Sequence, residues 1–393
     1  MPTLNYLFYN SMLFLYLSEL NKLFKYFRTT KATAQNVLRE NAAWRRLGKN
    51  KGAMAGLIVI IASVFIAVFC YFIAPDSSPY ANRIILEIGG ERPGFTQKFL
   101  LVKKENPPVQ SGFLNRLLYG KPDEFDYVPI NSFQILGDSI IADKYIDETV
   151  SERIGYHKNS LSSEPAVIKK YWLGTDKYGR DILSRLIVGT RVSLSVGMIT
   201  VLISVTIGLI LGSLAGFYRG RTDDIIMWFI NVIWSIPTLL LVFAITLALG
   251  KGFWQVFIAV GLTMWVNVAR LVRGQVLAVR ELEYIEATRA LGFKNSRIIA
   301  RHIWPNIMGP VLVIAAANFA SAIVIEAGLS FLGVGVQPPQ PSWGLMIKEN
   351  YNFIITQTPM LALAPGFAVM MLVLALNLFG NGLRDALSVR GKL

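Results

Sequence analysis

Few side chains in this 393-residue chain could do chemistry, and they are scattered. His157 and His302 are isolated, and Cys70 is the single cysteine, so neither a disulfide nor a metal-ligand cluster is readable. No catalytic residue and no metal ligand is assigned. The phosphate-cradling pattern G-x-x-x-x-G-K-[ST] does not occur. Four groupings remain. Glu286-Ala287-Thr288 is followed by three residues, then Gly292, then nine residues, then His302-Ile303-Trp304-Pro305. Thr175-Asp176 and Arg180-Asp181 can cap and open an external helix starting near Lys177. Glu326 ends the charge-free run 302–325, and an acid at such a place is a functional candidate. The alternative is an interfacial carboxylate bonded to local backbone or to a base. Pro237 interrupts another apolar run; the kink either lines a pathway or is architectural.

The elements that must position these residues follow from where charges are missing. Hydrophobic residues make up 53% and charged ones 16%, against about 25% charged in a typical soluble domain. That excludes disorder and an ordinary soluble nucleic-acid binder, despite a net charge of +14. A bilayer core needs roughly 20 apolar helical residues. Six such segments are predicted, at 52–75, 192–218, 225–250, 252–272, 304–328 and 359–381. Continuous rather than alternating apolarity means helices, not barrel strands. No run resembles a cleavable signal peptide. The fold class is therefore an all-α polytopic membrane protein of six transmembrane helices.

Charge sets the expected orientation. Residues 1–51 hold nine Lys/Arg and two acids, and 270–301 hold seven and three. The segment 75–190 holds 15 of each. The positive-inside rule then places both termini and the 273–305 loop in the cytoplasm of a plasma-membrane protein. Residues 1–27 suit either a helix lying on the membrane lipid or a poorly ordered extension. Residues 76–170 form an external insert of mixed or irregular structure, with β-like runs at Arg83–Ile88 and Tyr127–Leu136. Its role is either partner docking or a bland structural cap. Gly208, Gly212 and Gly216 recur at spacing four, as in closely packed membrane helices.

The 273–305 loop reads as helix, glycine break, helix. Leu277, Leu282, Ile285 and Leu291 can share one face. Gly292 suits a helix C-terminus, Asn295 or Ser296 can cap a second short helix, and Pro305 opens the fifth span.

These residues carry a resemblance. Glu283–Asn306 (EYIEATRALGFKNSRIIARHIWPN) resembles the EAA loop of ABC importer permeases, closest to the dipeptide/oligopeptide/nickel branch. Thr288 stands where the family has a second Ala, and Trp304 where it has Leu. Leu173–Asp176, Gly179–Asp181, Trp234–Leu240 (WSIPTLL) and Glu326–Trp343 (EAGLSFLGVGVQPPQPSW) also match, in order. The likeness covers roughly 40–75 and the core 171–390. The long insert is similar to that of the branch taking up peptide-like antibiotics.

The resemblance implies a type I importer permease that moves peptides. Its implied partners are a second homologous permease, two ATPase subunits that hold ATP and Mg, and an extracytoplasmic binding protein. No cofactor is implied on this chain, which is not itself an enzyme. Glu286, Ala287, Arg289, Gly292, Ile303 and Pro305 would couple it to the ATPases. Glu286 could pair with Arg289 or with a partner's base. Relatives of this shape also take nickel chelates or oligosaccharides. From a different class, an ion-coupled secondary transporter would require ionisable groups at the midplane, and Glu326 is the candidate.

Overall fold

The computed structural model describes residues 44–106, 112–147, 149–250, 252–355 and 358–387. The expected interfacial helix at 1–27 lies outside the described residues.

Among the described residues five helices are long and apolar enough to cross a membrane, and a bent helix pair counts as a sixth if it is one broken span. The first, α1 (Lys51–Val68), follows helical residues 44–49 and is capped by Asn50, whose Oδ1 accepts from Ala53 N–H at 3.1 Å. Beyond it lies the insert. Its helix α2 (Phe113–Tyr119) accompanies a five-stranded antiparallel sheet. The strands are β1 (Phe95–Lys103), β2 (Phe125–Leu136), β3 (Ser139–Tyr145), β4 (Ser151–His157) and β5 (Leu161–Tyr171). Their order is β4-β3-β2-β1-β5. Alternation puts Phe99, Tyr145 and Tyr171 on one side, with Ile85 and Ile88, and Leu100, Ile130 and Ile140 on the other. The insert is therefore ordered. Tyr127–Leu136 lies within β2. Arg83–Ile88 is not a strand: Leu86–Ile88 forms a 3₁₀ turn. Its apolar residues Ile85 and Ile88 instead plug the sheet from outside the ladder.

The membrane elements are α3 (Ile182–Tyr218), α4 (Gly220–Trp234), α5 (Thr238–Leu249) and α6 (Phe253–Arg280). Then come α7 (Glu283–Ala290), α8 (Asn295–Phe331), α9 (Trp343–Asn350) and α10 (Met360–Leu387). At 37 residues, α3 begins well before the predicted 192. Arg185 and Arg191 end the hydropathy run early, yet both find partners remote in sequence. Arg185 bonds Glu349 at 3.1 Å, and Arg191 donates to the carbonyls closing α1 and α2.

The predicted span 225–250 is not one helix. Chain direction turns by 92° between α4 and α5. Pro237 is the first residue outside α5 and has no N–H to continue the ladder.

Small residues set the packing. A Cβ on Gly208 would lie 2.5 Å from Val268 Cβ, and one on Gly212 would lie 2.5 Å from Ala269 O. α3 and α6 can therefore approach only because the stripe lacks side chains. Gly56 does the same for α1 against Ala375 of α10.

Candidate functional site

Three regions contain the residues singled out above. The first is the segment joining α6 to α8. Glu283 and Glu286 sit in the first turn of α7 and Arg289 in its last, complementing the helix dipole. Glu286, Ala287 and Arg289 are exposed. Arg289 lies over the Phe217 ring, 5.1 Å from its centroid, rather than pairing with Glu286. Gly292 follows the helix at φ +73°, and open space surrounds the position of its absent Cβ. Of the four predicted apolar residues only Ile285 is buried; Leu282 and Leu291 face outward. They cannot share its face because the chain turns at Leu282 and again at Gly292. Neither Asn295 nor Ser296 caps the next helix, since Lys294 occupies the cap and Asn295 is already helical.

Pro305 does stand in the first turn of the α-helical stretch Trp304–Phe331, but that stretch is not a fresh start. Asn295–Phe331 is continuous, with a π turn at Ile299–Ile303 immediately before Pro305. The wider turn accommodates a ring that has no N–H to give.

This segment is rigidly seated. Ile285, Ile298 and Ile303 are fully buried against Val272 and Val276 of α6 and Phe217 of α3. Asn306 Nδ2 donates to Tyr284 Oη at 3.0 Å, tying α7 to α8. Arg219 pairs with Glu281. The two family departures are locally resolved. Thr288 Oγ1 donates to Ile285 O at 2.7 Å, and Trp304 Nε1 donates to Ser213 Oγ at 2.9 Å. Each added polar group thus has a partner.

The second region is external. Thr175 and Asp176 do not cap a helix starting near Lys177, and Arg180 and Asp181 are not in helical turns. The chain makes a tight turn, with Asp176 accepting from Tyr178 and Arg180 N–H at 2.9 and 3.0 Å. Gly179 has φ +71°, and a Cβ there would fall 1.7 Å from Ile85 O, so no helix can pass through it. The helix starts at Ile182, and Asp181 is its cap, accepting from Ser184 N–H at 2.9 Å. Arg180 is buried, with Asp176 at 2.7 Å and Glu349 of α9 at 2.8 Å. Thr175 bonds the backbone at Ile88 and Glu91, fastening the insert to α3. Burial raises the Asp181 carboxyl above its ordinary value, opposed by its bonds from Ser184.

The third region is the broken span. A cavity of about 220 Å³ opens beside the α4–α5 break. Thr238, Thr263, Asn267, Asn318 and Ser321 supply its polar lining, with Trp234 among the apolar walls. Sequence reasoning missed these residues. Their signal was polar side chains inside charge-free runs, which were counted only for ionisable ones. Pro237 terminates the helix at this cavity. Glu326 stands outside its lining, fully buried, accepting from Ser330 Oγ at 2.6 Å. It bonds neither backbone nor a base. Ser330 Oγ also accepts from Val336 N–H at 3.0 Å, so Glu326 sits beneath the loop that returns from α8.

Comparison with known proteins bears on what this arrangement serves. Residues 208–391 match the family described as "Binding-protein-dependent transport system inner membrane component". Residues 41–85 match "N-terminal TM domain of oligopeptide transport permease C". The oligopeptide transport system permease protein OppC of Bacillus subtilis (strain 168) is 41% identical over 58% of this chain and 75% of its own length. The glutathione transport system permease protein GsiD of Pectobacterium atrosepticum is 42% identical over 56% of this chain and 73% of its own. An inward-facing structure of the MetNI methionine ABC transporter aligns at TM-score 0.43 and 18% identity, over 52% of this chain and 96% of that one. The chain belongs to the binding-protein-dependent inner-membrane permease family, in its oligopeptide and dipeptide ABC permease branch.

Proposed function

We propose that this chain is one of two permease subunits of an ATP-driven importer for peptides, and that α7 with Gly292 is its coupling element. The second permease is a homologous chain, two ATPase subunits bind ATP and Mg, and an extracytoplasmic binding protein delivers the peptide to the outside. Both termini and α7 face the cytoplasm, where the ATPases are.

The observation that carries this reading is the contrast within the α6–α8 segment. One side is anchored by Ile285, Ile298 and Ile303 to three spans. The other leaves Leu282, Tyr284, Glu286 and Leu291 exposed among the described residues. A rigid body anchored in this way can carry the movement of a partner into α3, α6 and α8. A floppy connection could not. The chemistry of the chain is then positional: it binds, orients and admits, and the partners hydrolyse ATP.

The test uses the full complex in liposomes. Glu286→Lys and Gly292→Pro should leave the chain inserted but reduce ATP-driven uptake tenfold or more, and lower ATPase stimulation by the loaded binding protein. Wild-type uptake in both variants would refute the assignment of α7.

A further inference from the structure

Two arginines stand one turn apart on α6, and their circumstances differ. Arg273 is neutralised by Asp223 of α4 through two bonds, at 2.5 and 2.6 Å. Arg270, half-buried, has no carboxylate partner among the described residues. Its Nη2 donates to Asn231 Oδ1 at 3.0 Å, and its guanidinium lies flat on Trp234, 3.7 Å from the ring centroid. Its Nε is enclosed and has no hydrogen-bond acceptor. An arginine with no carboxylate partner, one nitrogen of which is enclosed without an acceptor, is costly to keep in a membrane helix, so its retention needs a reason.

Its place supplies one. Trp234 lines the 220 Å³ cavity and stacks on Arg270, while its Nε1 donates to Asn267 Oδ1 at 3.2 Å. Asn267 lines the cavity too, and Arg270 follows it by about 4.5 Å along the helix, toward the coupling end. The guanidinium thus lies just beyond the lining, behind Trp234. The cavity itself holds hydroxyls and amides and no ionised side chain. Those groups suit peptide N–H and C=O, and none of them suits a full charge. Asn318, 3% exposed, holds an amide in this lining with one long bond of 3.5 Å to Met264 O.

We propose that Arg270, held by Trp234 and Asn231, receives the free carboxylate of a peptide passing the α4–α5 break. The ligand class is a short peptide with an ionised C-terminus. The planar guanidinium presents paired donors to both carboxylate oxygens, which a lysine would not. The stacking keeps it desolvated on one face and leaves it free to exchange its Asn231 bond for the substrate. This inference rests on the peptide-importer reading above.

The test compares uptake of one tripeptide as free acid and as C-terminal amide by the complete complex in liposomes, after the binding protein's affinity for each has been measured and saturated. Wild type should carry the acid at least tenfold faster than the amide. Arg270→Gln should abolish that preference by slowing the acid while sparing the amide. Arg270→Lys should recover part of it. A merely structural arginine would slow both forms alike, and equal loss in Arg270→Gln would overturn the proposal, as would an unchanged acid-to-amide ratio. Should Arg270→Gln fail to assemble, Asn267→Ala, which removes the support of Trp234, should narrow the ratio, and an unchanged ratio would overturn the proposal equally. If wild type takes up neither form while ATP is hydrolysed, the peptide reading itself fails, and this inference with it.

Discussion

At the residue scale, backbone geometry outweighs side-chain type. Thr175, Asp176, Arg180 and Asp181 have the residue types of a helix start, and one of them is the cap. Which one is decided by Gly179, whose φ of +71° and contact with Ile85 O turn the chain. Gly179→Ala should therefore destabilise the external junction by roughly 3 kcal/mol or more, through both strain and collision. Gly155→Ala, with nothing within 4 Å of its Cβ, should change little. Melting of the detergent-solubilised chain separates them, and equal melting would show that the turn is not needed. The sequence placed the cap early, at Thr175-Asp176 rather than Asp181, because the deciding contact joins Gly179 to Ile85, 94 positions away. Thr288 and Trp304 make the same point. Their partners, a carbonyl on the same helix and Ser213, show why these departures from the family pattern are tolerated.

At the element scale, apolar runs were readable and their breaks were not. The runs revealed α1, α6, α8 and α10 because lipid demands continuous apolarity. The beginning of α3 was hidden, since the groups that bond Arg185 and Arg191 are remote in sequence. Pro237 signalled an interruption, but a 92° turn depends on what α4 and α5 pack against. The sheet order was unreadable for the same reason: pairing of β1 with β5 is non-local. The insert also carries a pH-sensitive contact. Tyr127 lies between Arg83 and Lys169, at 4.0 and 4.3 Å from its ring centroid. Burial, and then repulsion from Arg83, pull the Lys169 ammonium down to about 8. Unfolded, it titrates near 10.5. Between those values the unfolded chain binds more protons, so the insert gains stability as pH rises from about 8 to 10.5, and none from this group below 8. Lys169→Met should remove that slope and raise melting at pH 7. A slope unchanged in the variant would assign it elsewhere.

At the scale of the whole molecule, the three regions are built on shared helices. The external junction ties the insert to the start of α3 and to α9 through Arg180 and Glu349. The cavity sits where α4 and α5 separate beside α6 and α8. The α7 projection is anchored where α3 and α6 end and α8 begins. The junction and the α7 segment thus share α3, the cavity and the α7 segment share α6 and α8, and the glycine stripe on α3 sets its close approach to α6. The net charge of +14 belongs to this plan as well, since the segment 75–190 is balanced and the excess lies in the segments flanking the spans. The central claim is that movement of α7 and of the spans that anchor it is driven by ATP through partner subunits. The most direct measurement is peptide uptake into liposomes containing the permease pair and binding protein, with and without the ATPase subunits. The account predicts uptake against a gradient only with the ATPases and ATP. Gradient-driven uptake by this chain alone, without them, would contradict it.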